Sequence, residues 1–260
     1  MTPYKQSFCI PCFWKGPEPE NIATVIGAAA KIGYPAVEFW FRDQLPADLV
    51  CQIAKDHGLA VSTICGHYAL TDGLNRTENH PRIRDEILRS LAYAQEHEIS
   101  NLICFSGNRH AAGDEEGIRV TADGLNLVKT AAEQAGVTLV MELLNSKVDH
   151  KGYQCDHTAW GVEVCKRVGS THVKLLYDIY HMQIMEGDLI CTITDNIAYI
   201  GHFHTAGNPG RHEMDETQEI NYRAVAAALA QTGYARFVAH ELMPVGDKTR
   251  ALEQSFQIFG

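Results

Sequence analysis

Short apolar runs alternate with longer amphipathic stretches along the chain. The apolar runs predict buried strands, and the stretches between them carry hydrophobic residues at helical spacing. The predicted strands are SFCI (7–10), AVEFW (36–40), LAVSTIC (59–65), NLICF (101–105), VTLVME (137–142), HVKLLYD (172–178), AYIGHFH (198–204) and ARFVAHE (235–241). The predicted helices cover 20–32, 46–57, 81–98, 117–135, 158–168, 188–196, 221–231 and a last stretch from about 248.

The strand and helix predictions form eight successive pairs. Glycines such as Gly33, Gly58 and Gly136 follow predicted helices, where a left-handed residue closes the last turn. No linker rich in Pro, Gly or Ser divides the chain, so we expect a single domain over residues 1–260. A doubly wound open sheet is the alternative, but no Gly-rich phosphate turn follows the first strand. The pattern therefore favours an α/β fold of the (β/α)8 TIM barrel type.

Four predicted strands end in an acid or a histidine. The residues are Glu142, Asp178, His204 and Glu241, separated by 36, 26 and 37 residues. A lone carboxylate at the end of a buried strand is costly, and barrel strands present their carboxyl ends at one face. Any one of these acids alone is typical of a helix cap or a salt bridge. Together they predict a divalent metal site for Mn²⁺, Mg²⁺, Co²⁺ or Zn²⁺.

Further polar residues lie near these strand ends and are candidates for substrate binding. His181 follows Asp178 by three residues, Arg211 follows a Gly- and Pro-containing turn, His67 follows the third strand and Arg109 the fourth. Each also fits an ordinary role, as a histidine bonded to the backbone or as a surface arginine. Glu38 and His202 lie within strands, where they line the barrel or pair with neighbours.

Two glutamates beside one metal suit proton transfer next to a carbonyl. A metal that polarises a carbonyl and a neighbouring hydroxyl acidifies the C–H bond between them. One carboxylate can then take the proton while the other returns it. Return to the neighbouring carbon gives isomerisation, and return to the opposite face of the same carbon gives epimerisation. We therefore expect Glu142 and Glu241 to be catalytic.

The composition of the chain argues against some classes of binding partner. Its net charge of −10 argues against a nucleic-acid surface, and no apolar run is long enough to span a bilayer. The first residues show no signal-peptide pattern, and several of the eight cysteines fall inside apolar patterns, so we expect a cytoplasmic protein. Cys9 and Cys12 have the spacing of a redox pair, but no second pair completes a zinc site.

Several segments resemble the hydroxypyruvate isomerase branch of the xylose isomerase-like barrels. They are VEFW (37–40), LNRTENHPRIRDEI (74–87), NLICFSGNR (101–109), MELLN (141–145), YDIYHMQIMEGDL (177–189), HFHTAGNPGRHEMD (202–215) and EINY (219–222). The resemblance implies a metal-dependent TIM barrel in which Glu142 and Glu241 match the catalytic, metal-binding glutamates and Asp178 the metal aspartate. His204 stands where hydroxypyruvate isomerases often carry glutamine and ketose 3-epimerases carry histidine. His181 and Arg211 match positions that contact substrate oxygens in the epimerases.

From the resemblance we predict an isomerase that converts hydroxypyruvate to tartronate semialdehyde. A ketose 3-epimerase is the second hypothesis, and a sugar-binding barrel without turnover is the third. The superfamily also includes endonucleases that act at abasic DNA sites, which the acidic charge disfavours here. We expect a small-molecule substrate, no nucleic-acid or membrane partner, and a surface compatible with a homo-oligomer.

Overall fold

Eight parallel strands form the centre of the structure. The computed structural model describes residues 2–13, 19–111 and 113–260. The strands are β1 (Lys5–Phe8), β2 (Ala36–Glu38), β3 (Ala60–Cys65), β4 (Asn101–Cys104), β5 (Thr138–Glu142), β6 (Val173–Asp178), β7 (Ile200–Thr205) and β8 (Phe237–His240). They pair in the order β1-β8-β7-β6-β5-β4-β3-β2, and a parallel bridge between Cys9 and Glu38 joins the two ends. The predicted (β/α)8 barrel is confirmed.

Helices connect the strands and pack around the barrel. They are α1 (Ile10–Phe13), α2 (Pro19–Ile32), α3 (Ala47–Asp56), α4 (His80–Glu96), α5 (Gly113–Asn126), α6 (Lys129–Ala135), α7 (Thr158–Val168), α8 (Ile179–Met185), α9 (Leu189–Asn196), α10 (Tyr222–Gln231) and α11 (Lys248–Phe259). Short 3-10 turns precede α4 and β7. In the described part of the chain, every helix is too short or too polar to cross a membrane.

The helix prediction fails in three places, the first of them α1, where the sequence predicted no helix. The helix expected over 117–135 is two helices, because the N–H groups of Leu127 and Val128 bond carbonyls three residues back and tighten the chain there. The helix α8 was not predicted at all. It starts directly after β6, where the Asp178 carboxylate accepts the backbone N–H of His181 at 3.0 Å. A strand-end residue thus also caps a helix, and no loop marks the boundary.

Polar side chains cross the inside of the barrel below its mouth. Glu38 on β2 accepts a hydrogen bond from His202 on β7 at 2.8 Å, and Thr63 on β3 lies 3.4 Å from the same ring nitrogen. Ser7 and Ser62 are also in contact, at 3.2 Å. Barrel interiors are usually filled by branched apolar residues. Here a buried, hydrogen-bonded network supports the site above it.

The loops that follow β3 and β4 touch through glycine backbone. A Cβ atom on Gly107, whose φ is +89°, would lie 2.4 Å from the backbone nitrogen of Gly73. Backbone hydrogen bonds join the same loops on either side, from Asn75 to Ser106 and from Asn108 to Thr71, each at 2.8 Å. These loops therefore pack at a distance that only glycine permits.

We expect Gly107→Ala to destabilise the fold more than Gly136→Ala. Both glycines have positive φ, but a Cβ on Gly136 meets nothing within 4 Å. Positive φ alone costs about 1 kcal/mol, or about 2–4 °C in melting temperature, and forced contact adds about 1–3 kcal/mol. Thermal unfolding followed by circular dichroism measures both variants. Equal losses would contradict the close packing of the two loops.

Candidate metal and substrate site

The carboxyl ends of β5 to β8 bring the four predicted metal ligands together. Glu142 and Asp178 end their strands, His204 is the fifth residue of β7, and Glu241 directly follows β8. Asp178 and His204 are partners in the register between β6 and β7. One potential ligand atom from each residue lies within 4.8 Å of all the others. One ion could therefore contact all four, although the metal role itself remains a prediction.

The cluster carries more negative than positive charge. Its three carboxylates are at most 6% exposed, where unpaired charge is costly. Arg211 contacts Glu241 through Nη2, and the same nitrogen lies 3.7 Å from Asp178 Oδ2. One guanidinium and one imidazole face three buried acids. A divalent cation would supply the missing charge, and the oxygen and imidazole donors suit the predicted ions.

The pKa values of the three acids reflect this excess of negative charge. Burial raises the pKa of Asp178 to about 7 against the opposing pull of Arg211, and burial also raises the pKa of Glu142. Burial would raise the pKa of Glu241 too, but contact with Arg211 and His204 lowers it strongly. Glu241 is therefore held ionised by the protein alone. Asp178 and Glu142 need a further cation for the same effect.

The two ring nitrogens of His204 face different carboxylates. Its Nε2 lies 2.8 Å from Glu38 Oε1, deeper in the barrel. Its Nδ1 lies 3.1 Å from Glu241 Oε2 and 3.4 Å from Glu142 Oε1. Burial raises the pKa of Glu38, but His204 and His202 lower it to about 2 overall, so this acid is ionised. Nδ1 is therefore the ring nitrogen that faces the cluster, and it is the atom that would bind an ion there.

A cavity of about 240 Å³ opens beside the cluster. Its polar side includes Glu142, His150, Arg211 and Glu241, and the remainder is apolar. The apolar lining is Trp40, Phe41, Cys65, Leu70, Ile103, Phe105, Leu144 and Met243. Trp40 Nε1 donates a hydrogen bond of 2.6 Å to Glu241 Oε1. Sequence reasoning missed Trp40 and His150, although an aromatic residue at the end of a predicted strand was a usable signal for Trp40.

The structure brings two of the predicted substrate-binding residues to the cluster. Arg211 lines the cavity, and His181 is fully buried with Nε2 3.6 Å from Asp178 Oδ2. The other two are not in the cavity lining. His67 faces the backbone N–H groups of Phe105 and Ala69 with its two ring nitrogens, at 3.0 and 3.2 Å.

Arg109 has carboxylate partners of its own. It donates to Asp114 at 2.5 Å and to Asp156 at 2.6 Å. Both His67 and Arg109 follow their strands as predicted, and the contacts that the structure shows for them are with these local partners. Their role in substrate binding stays a prediction.

The two cysteines of the N-terminal pair are free and buried. Cys9 takes part in the bridge that closes the barrel, and Cys12 lies in α1, a short helix that the sequence did not predict. Burial raises the pKa of the Cys9 thiol well above its usual value. A buried thiol of high pKa is a poor nucleophile, so packing accounts for this residue.

Two curated relatives are isomerases by name. The chain is similar to 2-oxo-tetronate isomerase from Cupriavidus necator, with 32% identity over 84% of this chain and 85% of that protein. It is also similar to hydroxypyruvate isomerase from Escherichia coli, with 31% identity over 62% of each chain.

Solved structures share the fold over nearly the whole chain. AP endonuclease, family 2, from Brucella melitensis superposes with a TM-score of 0.83 at 25% identity, covering 97% of both chains. L-ribulose 3-epimerase superposes with a TM-score of 0.81 at 20% identity, covering 99% of this chain and 93% of that one. A family model described as xylose isomerase-like TIM barrel matches residues 26–259. The chain belongs to the xylose isomerase-like TIM barrel family.

Proposed function

We propose that this chain is a single-domain, metal-dependent isomerase of a small 2-oxo acid, with hydroxypyruvate as the first substrate to test. Its curated relatives are named as isomerases of this kind of substrate. The observation that carries the proposal is the buried cluster of Glu142, Asp178, His204 and Glu241 beside a small cavity. Buried acids with perturbed pKa values in a cavity are typical of catalytic sites.

The four clustered side chains would hold the ion. A divalent ion bound there would polarise the substrate carbonyl and the adjacent hydroxyl, which acidifies the C–H bond between them. Glu142 and Glu241 both line the cavity, so both would lie next to a substrate bound there. Glu241 is already oriented, because Trp40 donates to one of its carboxylate oxygens and Arg211 to the other.

The reaction is a transfer of protons with no other reagent. One of the two glutamates removes a proton from C3 of hydroxypyruvate, which gives an enediolate. A proton returned to C2 and the move of the hydroxyl proton from O3 to O2 give tartronate semialdehyde. Arg211 lines the cavity and is the cation that would bind the substrate carboxylate. The apolar wall limits the entry of water, which would otherwise exchange with the transferred proton.

A ketose 3-epimerase is the second candidate. His204 completes the donor set with an imidazole, which is the residue type that the sequence resemblance associates with the epimerases. The two reactions share the same acids and differ in where the proton returns. Product analysis separates them, because isomerisation moves the carbonyl and epimerisation inverts one carbon.

Removal of either catalytic carboxylate should abolish turnover. We expect Glu142→Gln and Glu241→Gln each to lower kcat by about 10²–10⁴-fold, since an amide cannot carry the proton. Each variant should also bind Mn²⁺ more weakly in calorimetry, because a neutral ligand replaces an anionic one. Glu216→Gln, at an exposed position, is the matched control and should leave both unchanged. Turnover that survives in both cluster variants would refute these roles.

Metal removal tests the cofactor independently of mutation. We expect protein stripped with a chelator to lose turnover on hydroxypyruvate and on a panel of ketoses, and added Mn²⁺, Mg²⁺, Co²⁺ or Zn²⁺ to restore it. Metal content measured by mass spectrometry gives the occupancy, and chromatography of the products identifies the reaction. Full activity in metal-free protein would show that the four residues serve another purpose.

A further inference from the structure

The loop after β5 places the side-chain amide of Asn145 in contact with the buried ring of His181. Asn145 is fully buried, and its Oδ1 accepts the backbone N–H groups of Val148 at 3.0 Å and Asp149 at 2.9 Å. Its Nδ2 donates to Asp149 Oδ2 at 2.6 Å. A flipped amide would point N–H groups at two N–H donors and an oxygen at a carboxylate. The hydrogen bonds therefore fix which end of the amide faces His181.

The fixed amide determines where His181 carries its proton. Asn145 Nδ2 lies 2.6 Å from His181 Nδ1, and an amide nitrogen can donate but not accept. His181 Nδ1 must therefore accept, which leaves the single proton of the neutral ring on Nε2. A ring whose Nδ1 accepts a hydrogen bond carries no proton on that nitrogen and is therefore neutral.

The other nitrogen of His181 is directed toward the cluster. Its Nε2 has no hydrogen-bond partner in the described residues and lies 3.6 Å from Asp178 Oδ2. The same oxygen lies 3.7 Å from Arg211 Nη2, so two donors flank one candidate metal ligand. A buried N–H without an acceptor destabilises the site, and a hydrogen bond to a substrate oxygen would remove that cost.

We propose that Asn145 is a positioning residue that holds His181 in the Nε2–H tautomer, so that His181 donates a hydrogen bond to the substrate oxygen that becomes negative. This role rests on the proposed function. A neutral donor in a buried site stabilises the developing enediolate without a competing proton transfer. The opposite tautomer would aim a lone pair at the same oxygen and repel it. Asn145 acts through His181 and does not itself contact the substrate.

Two variants separate tautomer control from simple support of the loop. Asn145→Asp keeps an acceptor for the two backbone N–H groups but removes the donor to His181, so Nδ1 becomes protonated. It also places two carboxylates together at positions 145 and 149. The double variant Asn145→Asp with Asp149→Asn restores that contact with reversed polarity. It therefore restores the contact between positions 145 and 149 and leaves a carboxylate facing His181. The Tyr180 hydroxyl, which donates to Asp149 Oδ2 at 2.9 Å, can turn to accept from the new amide.

The readout is the ¹⁵N spectrum of the histidine side chains at pH 7.5, in protein without substrate, with His181→Gln used for assignment. We expect a protonated Nε2 and an unprotonated Nδ1 in the wild type, and a protonated Nδ1 in both variants. Turnover should fall by about 100-fold in kcat with a smaller change in KM, as for loss of one oxyanion donor. The double variant should regain the wild-type melting temperature but not the activity.

Two results would overturn the role of Asn145. One is a wild-type His181 with its proton on Nδ1, and the other is a double variant with wild-type kcat, which would reduce Asn145 to support of the loop. Failure of the proposed function would give a different set of results from failure of the role of Asn145. Wild-type protein would then be inactive on the whole substrate panel, while the spectra would still report the tautomer and its change on Asn145→Asp.

Discussion

The mouth of the barrel depends on how three buried carboxylates are kept from repelling one another. Glu142, Asp178 and Glu241 converge because parallel strands in a barrel end at the same face. Arg211, from the loop after β7, lies next to Asp178 and Glu241. His204 lies next to Glu142 and also next to Glu241. The protein thus supplies part of the positive charge, and the proposed cation would supply the rest.

Glu38 connects this electrostatic arrangement to the closure of the barrel. Its backbone bridges Cys9 where the first and second strands meet, and its carboxylate reaches across the interior to His202 and His204. Carboxylates that hold the far nitrogen of a metal-binding histidine are a common way to fix its ring. A single buried acid therefore takes part both in the strand pairing that shapes the barrel and in the orientation of one candidate ligand.

The two histidines beside the cluster are held in similar ways by different groups. His204 turns one nitrogen to a carboxylate deeper in the barrel, and His181 turns one to the amide of Asn145. In each case the remaining nitrogen faces the carboxylates of the cluster, at 3.1 Å from Glu241 for His204 and at 3.6 Å from Asp178 for His181. One nitrogen is suited to a metal and the other to a substrate oxygen. The protein thus differentiates two identical side chains through the groups behind them.

The sequence by itself determined the barrel and the four strand-end residues. Both follow from local pattern, since strand period, helix period and the charge that ends a buried strand are visible within a few residues. It also placed His181 and Arg211 beside the site, through the resemblance. It did not separate them from His67 and Arg109, which follow their strands in the same way.

The tertiary structure decided which groups the polar side chains near the site contact. Backbone N–H groups face the ring nitrogens of His67, and carboxylates bind Arg109. Trp40 and Glu38, in contrast, contact Glu241 and His204 on distant strands. Trp40 and Glu241 are separated by 201 positions in the chain, and no local pattern reports such a contact. Hydrogen-bond satisfaction is a property of the packed fold, because each donor competes for acceptors that distant segments bring to it.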